Sequence, residues 1–192
     1  RQIRDHRPGL CCSIDTFRSN IVERAYDEIG PFWVNDISAG EDDRNMLKCV
    51  SRLELPYIAM HKRGTPQSMQ GLCHYDDLIQ ELIHYFQEFD IRSQYAGIAR
   101  WILDPGFGFA KTIEQNLELL DRLDELMVLQ REVLIGISRK SFIYKPLGLG
   151  PEDVLEQTGN YHRIALKKGV SMLRVHDVAP AKEIIHQLNI NK

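Results

Sequence analysis

With 192 residues, 43% of them apolar and 27% charged, the chain has the balance of one folded globular domain over 1–192 and not that of a disordered segment. A net charge of −3 excludes a global attraction to nucleic acid or to an anionic membrane, so any anion site must be built locally. No apolar run approaches the roughly 18 to 20 residues that span a bilayer, and the first residues lack a signal-peptide pattern, so a cytoplasmic protein is expected.

Short apolar, β-branched runs alternate with longer segments of helical period. Strands are expected at residues 10–15, 32–37, 55–60, 100–104, 133–137 and 171–176, each too short for a stable helix. The first intervening stretch places Ile21, Val22, Ala25, Tyr26 and Ile29 at spacings of three and four before Gly30, and the second repeats this with Met46, Leu47, Val50 and Leu53. The same period recurs in Ile79, Leu82, Ile83 and Phe86, in Ile113, Leu117, Leu120 and Met127, and in Ile184, Ile185 and Leu188. Pro151 after Gly150 predicts a helix start, and Gly169 after Lys167 and Lys168 predicts a helix stop. Cys11, Cys12, Cys49 and Cys73 have no CxxC spacing and lie in or beside apolar stretches, so buried free thiols are expected rather than a zinc site or disulfides.

Repeated βα units with nearly continuous apolar strands require a parallel sheet covered by helices. Asp15, Asn35, His61, Asp104, Lys140 and the pair Arg174 and His176 fall at or just beyond the C-terminal ends of the six expected strands. A barrel of the (β/α)8 TIM type uses such a layout on every strand, whereas an open doubly wound sheet binds ligands at one switch point. The fold class is therefore read as α/β, a TIM-type barrel of which about six βα units are present, with sheet edges at the first and last strands.

Several segments carry chemistry. DPGFGFAK at 104–111 ends a strand in a carboxylate and turns through two glycines, leaving Phe109 and Lys111 on a loop; the plain alternative is a tight turn capped by Asp104. GISRKS at 136–141 sets Gly136, where a flat ligand could meet the backbone, ahead of Arg139, Lys140 and Ser141; a solvated basic loop is the alternative. In LRVHD at 173–177, alternation puts Arg174 and His176 on one face as a cradle for a diphosphate, unless Asp177 neutralises one of them. MHKRGTPQ at 60–67 is a basic loop shaped by Gly64 and Pro66, in which a lone His61 is more often structural than catalytic. Asp15 and Asn35 suit the alternating donors and acceptors of a heterocycle's edge, although helix capping explains either one separately.

Taken in this order, SIDT at 13–16, Asn35 and Asp36 with Gly40, Met60 and His61 with RGTP at 63–66, LDPGFGF at 103–109, GISRKS at 136–141 and RVHD at 174–177 resemble dihydropteroate synthase over the whole chain. The resemblance implies a barrel that condenses 6-hydroxymethyl-7,8-dihydropterin diphosphate with p-aminobenzoate, releases diphosphate with Mg²⁺ assistance, is a sulfonamide target and is commonly a homodimer. By that resemblance Asp15, Asn35 and Asp104 hold the pterin edge, Lys140 binds its carbonyl and ring nitrogen, and Met60 and Gly136 wall its slot. Arg174 and His176 take the leaving diphosphate, and Phe109 and Ser141 lie near p-aminobenzoate; Lys140, Asp104, Arg174 and His176 carry the catalysis. It also implies two further βα units upstream of Arg1, with an Asn that serves Mg²⁺, so no metal ligand is expected within 1–192. A pterin-binding methyltransferase or a non-catalytic pterin-binding homologue is the alternative, against which the SRKS and RVHD motifs argue.

Overall fold

A computed structural model describes residues 5–7, 9–65 and 68–188, so that Pro66 of the basic loop lies outside the described residues. The element order is β1 (Ser13–Asp15), α1 (Ser19–Ile29), β2 (Trp33–Asp36), α2 (Met46–Arg52), β3 (Tyr57–Met60), α3 (Leu78–Ala96), β4 (Trp101–Asp104), α4 (Ile113–Asp121), β5 (Leu134–Ile135), α5 (Ser141–Tyr144), α6 (Leu155–Lys167), β6 (Met172–Leu173) and α7 (Val178–Gln187). No helix among the described residues is long and apolar enough to cross a membrane. The chain divides into two compact units, residues 1–61 with 85–103 and residues 62–84 with 104–192.

In the first unit the strand order is β1-β2-β3-β4, with β1 at an edge. β1 runs parallel to β2 with Asp15 opposite Asn35, and β2 runs parallel to β3 with Asn35 opposite Ile58. The apolar sequences YIAM and WILD leave every residue of β3 and β4 buried, as expected of strands covered on both faces. α3 seals the sheet with aromatics: Phe89 stacks on Tyr57 at 5.7 Å and meets Trp101 edge-on at 4.8 Å. Gly30, at a φ of +70°, ends α1 where the sequence placed its stop.

In the second unit β5 and β6 are parallel, with Leu134 opposite Met172 and Ile135 opposite Leu173. α4 begins with a complete capping box, Thr112 accepting from the Gln115 backbone while the Gln115 side chain accepts from the Thr112 backbone. Phe142 packs between Phe107 and Tyr161, with ring centroids 5.8 and 6.2 Å away. α6 ends at Lys167 before Gly169, as expected.

The structure corrects several boundaries. The helix expected through Met127 ends at Asp121 and continues as a 3₁₀ segment, Leu123–Leu129. Pro151 does not start a helix: the Asp153 carboxylate and backbone close a turn on Gly150, and α6 begins at Leu155. All four cysteines are free, but only Cys49 is buried; Cys11 is exposed, and Cys12 and Cys73 are half-buried. β6 stops at Leu173, so Arg174 and His176 stand beyond the strand rather than on it.

Candidate active site

Asp15, Met60 and Asp104 are the last residues of β1, β3 and β4, and Asn35 is the penultimate residue of β2. Lys140 is the N-cap of α5, five residues beyond β5.

In the first unit the Asn35 amide donates to Asp15 Oδ1, so the parallel register of β1 and β2 brings the two together. Asn35 is buried and Asp15 exposed, beside an open hollow lined by Thr16, Phe17, Arg18, Ile21 and Ile37. The next residue, Asp36, is fully buried. Its carboxylate accepts from the Ser38 backbone and hydroxyl, both at 2.7 Å, from the Gly40 backbone at 2.9 Å and from the Tyr57 phenol at 2.6 Å. Four donors balance a buried charge. They also fold the chain sharply after Asn35, through Ala39 and Gly40 at φ of +48° and +79°. Burial, and then the Asp36 charge, push the Tyr57 phenol well above its ordinary pKa. Met60 is buried, and so is His61, whose ring meets Tyr85 edge-on at 4.9 Å, the structural role expected of it.

In the second unit the loop after Asp104 is shaped from within. Asp104 Oδ1 accepts from the Gly106 backbone at 2.9 Å, so the turn-capping role is real. The buried Asn116 side chain accepts from the Gly108 backbone at 2.7 Å and donates to the carbonyls of Lys111 and Thr112. The Tyr75 phenol donates to the Ala110 carbonyl at 3.0 Å. Lys111, only 3% exposed, donates to the carbonyls of Gly106 and Phe109 at 3.1 and 3.2 Å. The loop turns through left-handed backbone at Gly106, Gly108 and Ala110, with φ of +72°, +78° and +47°.

Lys140 donates to the Phe107 carbonyl at 2.5 Å, and its ammonium stands 4.6 Å from the centre of the Phe109 ring. Burial lowers the Lys140 pKa to about 8; the Asp104 charge opposes that shift and the Arg174 charge adds to it. Lys111 is lowered to about 7, again chiefly by burial. The neighbouring cation has another fate: Arg139, at a φ of +57°, pairs with Asp177 at 2.8 Å and with Glu152. Asp177 thus pairs with Arg139, and its charge also acts on His176.

Arg174 pairs instead with Asp104, at 2.9 Å from Oδ2. Its guanidinium lies over Gly136, where a Cβ would stand 2.7 Å from Nη2 and 3.1 Å from Cζ. His176 rests on Ser138, its backbone N–H donating to Oγ at 3.3 Å and its Nδ1 lying 3.0 Å from the same oxygen. Phe109 is half-buried on the loop, and Ser141 is the first residue of α5. Within the second unit Asp104 is thus bound to Arg174, Lys140 to the loop that follows Asp104, and His176 to Ser138 two residues beyond Gly136.

Among the described residues no group of three or more His, Cys, Asp or Glu side chains could hold a metal ion. Asp104 and Asp177 are both turned to arginines.

Asn116, Ser138 and Asp36 received no role from sequence. Asn116 had a usable signal, a polar residue on the apolar face traced by Ile113, Leu117 and Leu120. Asp36 had one as well, since Ser38 and Gly40 stand two and four residues on, where an Asx-type turn closes; Ser138 had none, because its partner His176 is distant in the chain.

The chain matches the pterin binding enzyme family over residues 1–176, and it belongs to that family. Relatives it matches include dihydropteroate synthases. The one from Synechocystis sp. is 41% identical over 175 residues, covering 90% of this chain and 60% of the relative. The chain thus spans about three fifths of the length of the curated relatives it matches. The dihydropteroate synthase of Yersinia pestis, solved with a sulfonamide drug complex, superimposes with a TM-score of 0.91 at 32% identity, covering 96% of this chain and 67% of that one. That of Thermus thermophilus, solved with 6HMPPP, gives a TM-score of 0.88 at 34% identity over 95% of this chain and 72% of that one, and the same protein has been solved with 4-aminobenzoate. The fold class is accordingly the α/β barrel type of these enzymes.

Proposed function

We propose that the protein is a dihydropteroate synthase, joining 6-hydroxymethyl-7,8-dihydropterin diphosphate to p-aminobenzoate with release of diphosphate. The observation that carries the reading is the cationic end of the second unit: Arg174 clasped by Asp104 over Gly136, with His176 beside it on Ser138. Membership of the pterin binding enzyme family supports it.

In this reaction the bond from the pterin methylene to the diphosphate oxygen breaks, and a bond from the methylene to the aniline nitrogen forms, with loss of one N–H proton to solvent. Negative charge grows on the departing oxygen. Arg174 and His176 are fixed donors for that charge, and interactions stronger in the transition state than in the ground state accelerate the step. Asp104 offsets the positive charge that develops on the pterin, and Lys140 donates to its carbonyl edge. The Asp15–Asn35 pair offers the acceptor and donor pattern of a pterin edge. A neutral aniline is already nucleophilic, so positioning rather than a strong base lowers the barrier. The same reading expects a cytoplasmic homodimer.

The test is diphosphate release by the full-length protein from the pterin diphosphate, with and without p-aminobenzoate. Release that depends on p-aminobenzoate, with stoichiometric dihydropteroate, is expected; Arg174→Ala should weaken it. Release independent of p-aminobenzoate, or none at all from a folded protein that binds the pterin, overturns the proposal.

A further inference from the structure

We propose that Ser138 is a positioning residue for diphosphate recognition: it fixes His176 in the tautomer that carries its proton on Nε2. This deepens the reading of His176 as a diphosphate ligand and rests on it. Ser138 is buried, 6% exposed, one residue past the expected strand end, whereas His176 is exposed. Every second residue of the two segments meets across the gap: Gly136 beneath Arg174, and Ser138 beneath His176. The Arg174 backbone still bonds to the Ile135 carbonyl at 2.8 Å, so the ladder of β5 and β6 runs on far enough to set this register.

A serine hydroxyl has one proton to give and two lone pairs. The His176 backbone N–H, at 3.3 Å, occupies one lone pair of Oγ. Among the described residues Nδ1, at 3.0 Å, is the acceptor within reach of the remaining proton. A buried hydroxyl that leaves its proton unbonded is penalised, so Oγ–H donates to Nδ1. Nδ1 is then an acceptor, and the ring proton sits on Nε2, the ring nitrogen not engaged with Ser138. The consequence is chemical. A neutral imidazole in this tautomer donates a hydrogen bond to an anionic oxygen, whereas the other tautomer would present a lone pair and repel it. Ser138 thereby lets His176 serve an anion without first taking up a proton.

The experiment uses the full-length protein, with inorganic diphosphate as the probe. Long-range ¹H–¹⁵N correlation spectra of ¹⁵N-histidine protein report the tautomer of His176 directly, assigned with His176→Gln. The wild type is expected to show the Nε2–H form; Ser138→Ala should lose that preference and bind diphosphate about tenfold more weakly. Ser138→Thr, which keeps the hydroxyl at a position that borders a small hollow with Leu155, Thr158, His162 and Ala181, should keep both properties. An Nδ1–H tautomer in the wild type overturns the proposal even if Ser138→Ala does not fold. So does a folded Ser138→Ala that keeps the wild-type tautomer and affinity. If the wild type binds no diphosphate, the ligand reading of His176 fails, and with it the recognition role of Ser138, whatever the tautomer.

Discussion

Gly136→Ala tests whether the room at this glycine belongs to Arg174. The φ of Gly136 is not in the left-handed region, so alanine adds a methyl group without straining the backbone. That methyl would stand 2.7, 3.0 and 3.1 Å from Nη2, Nε and Cζ of Arg174, inside van der Waals contact with the whole guanidinium. The arginine must leave, and with it goes the 2.9 Å bond to Asp104, whose side chain is 1% exposed. A charge-assisted bond of this kind is worth about 1.5–3 kcal/mol when shielded. The Arg174 side chain is 40% exposed, so solvent screening reduces the expected loss to roughly 1–1.5 kcal/mol. Since about 1.4 kcal/mol is a factor of ten, kcat/KM for the pterin diphosphate should fall about five- to tenfold in a continuous diphosphate-release assay. The thermal midpoint should fall by no more than a few degrees. A variant that keeps wild-type kcat/KM, or whose crystal structure keeps Arg174 on Asp104, would refute the reasoning.

Further outcomes follow from the same geometry. Asn116→Ala removes the partner of the Gly108 N–H and of two carbonyls in a buried place, and should cost about 2–4 kcal/mol in urea unfolding, against no measurable change if the loop is held by its glycines alone. Asp36→Ala strips four donors of their shared acceptor and should destabilise by at least about 3 kcal/mol, whereas Tyr57→Phe removes one of the four and should cost only about 1–2 kcal/mol; equal losses would count against this network. The folded pKa of Lys140, about 8, lies below the unfolded value of about 10.4. The unfolded chain therefore binds more protons between these values, and the stability of the wild type relative to Lys140→Met should rise from about pH 8 to about pH 10. A difference flat over that window would show that Lys140 is not desolvated. The rate should fall in a step centred near pH 8, where the folded Lys140 loses its charge.

The strands were legible because four-residue runs such as YIAM and WILD admit little else once turns flank them, and their ends were overestimated where backbone pairing stops before apolar character does. Val133 shows why: its carbonyl bonds to Ser171 and Met172, yet the regular ladder begins only at Leu134. That the candidate residues Asp15, Asn35 and Asp104 stand at strand ends was legible for the same reason, since strand termini mark position along the chain. What could not be read was pairing. Arg174 finds Asp104, 70 residues away, although Asp177 is three residues from it; Asp177 finds Arg139, 38 residues away. Tyr57 reaches Asp36 across 21 residues and His176 reaches Ser138 across 38. Such partners are set by strand register, and a sequence that shows each strand does not show which residues the register sets face to face.

Lys111, on the loop after β4, and Lys140, at the start of α5, are both held by main-chain oxygens of that loop, those of Gly106 and Phe109 for Lys111 and that of Phe107 for Lys140. A carbonyl is common to all twenty residue types. The identities at 107 and 109 can therefore drift without removing an anchor, so long as the chain keeps its left-handed turns at 106, 108 and 110. What fixes the two ammonium groups is the path of the main chain, pinned in turn by the side chains of Asp104, Asn116 and Tyr75. A substitution at Phe109 can therefore change the surface of this loop and leave the posts of both lysines standing.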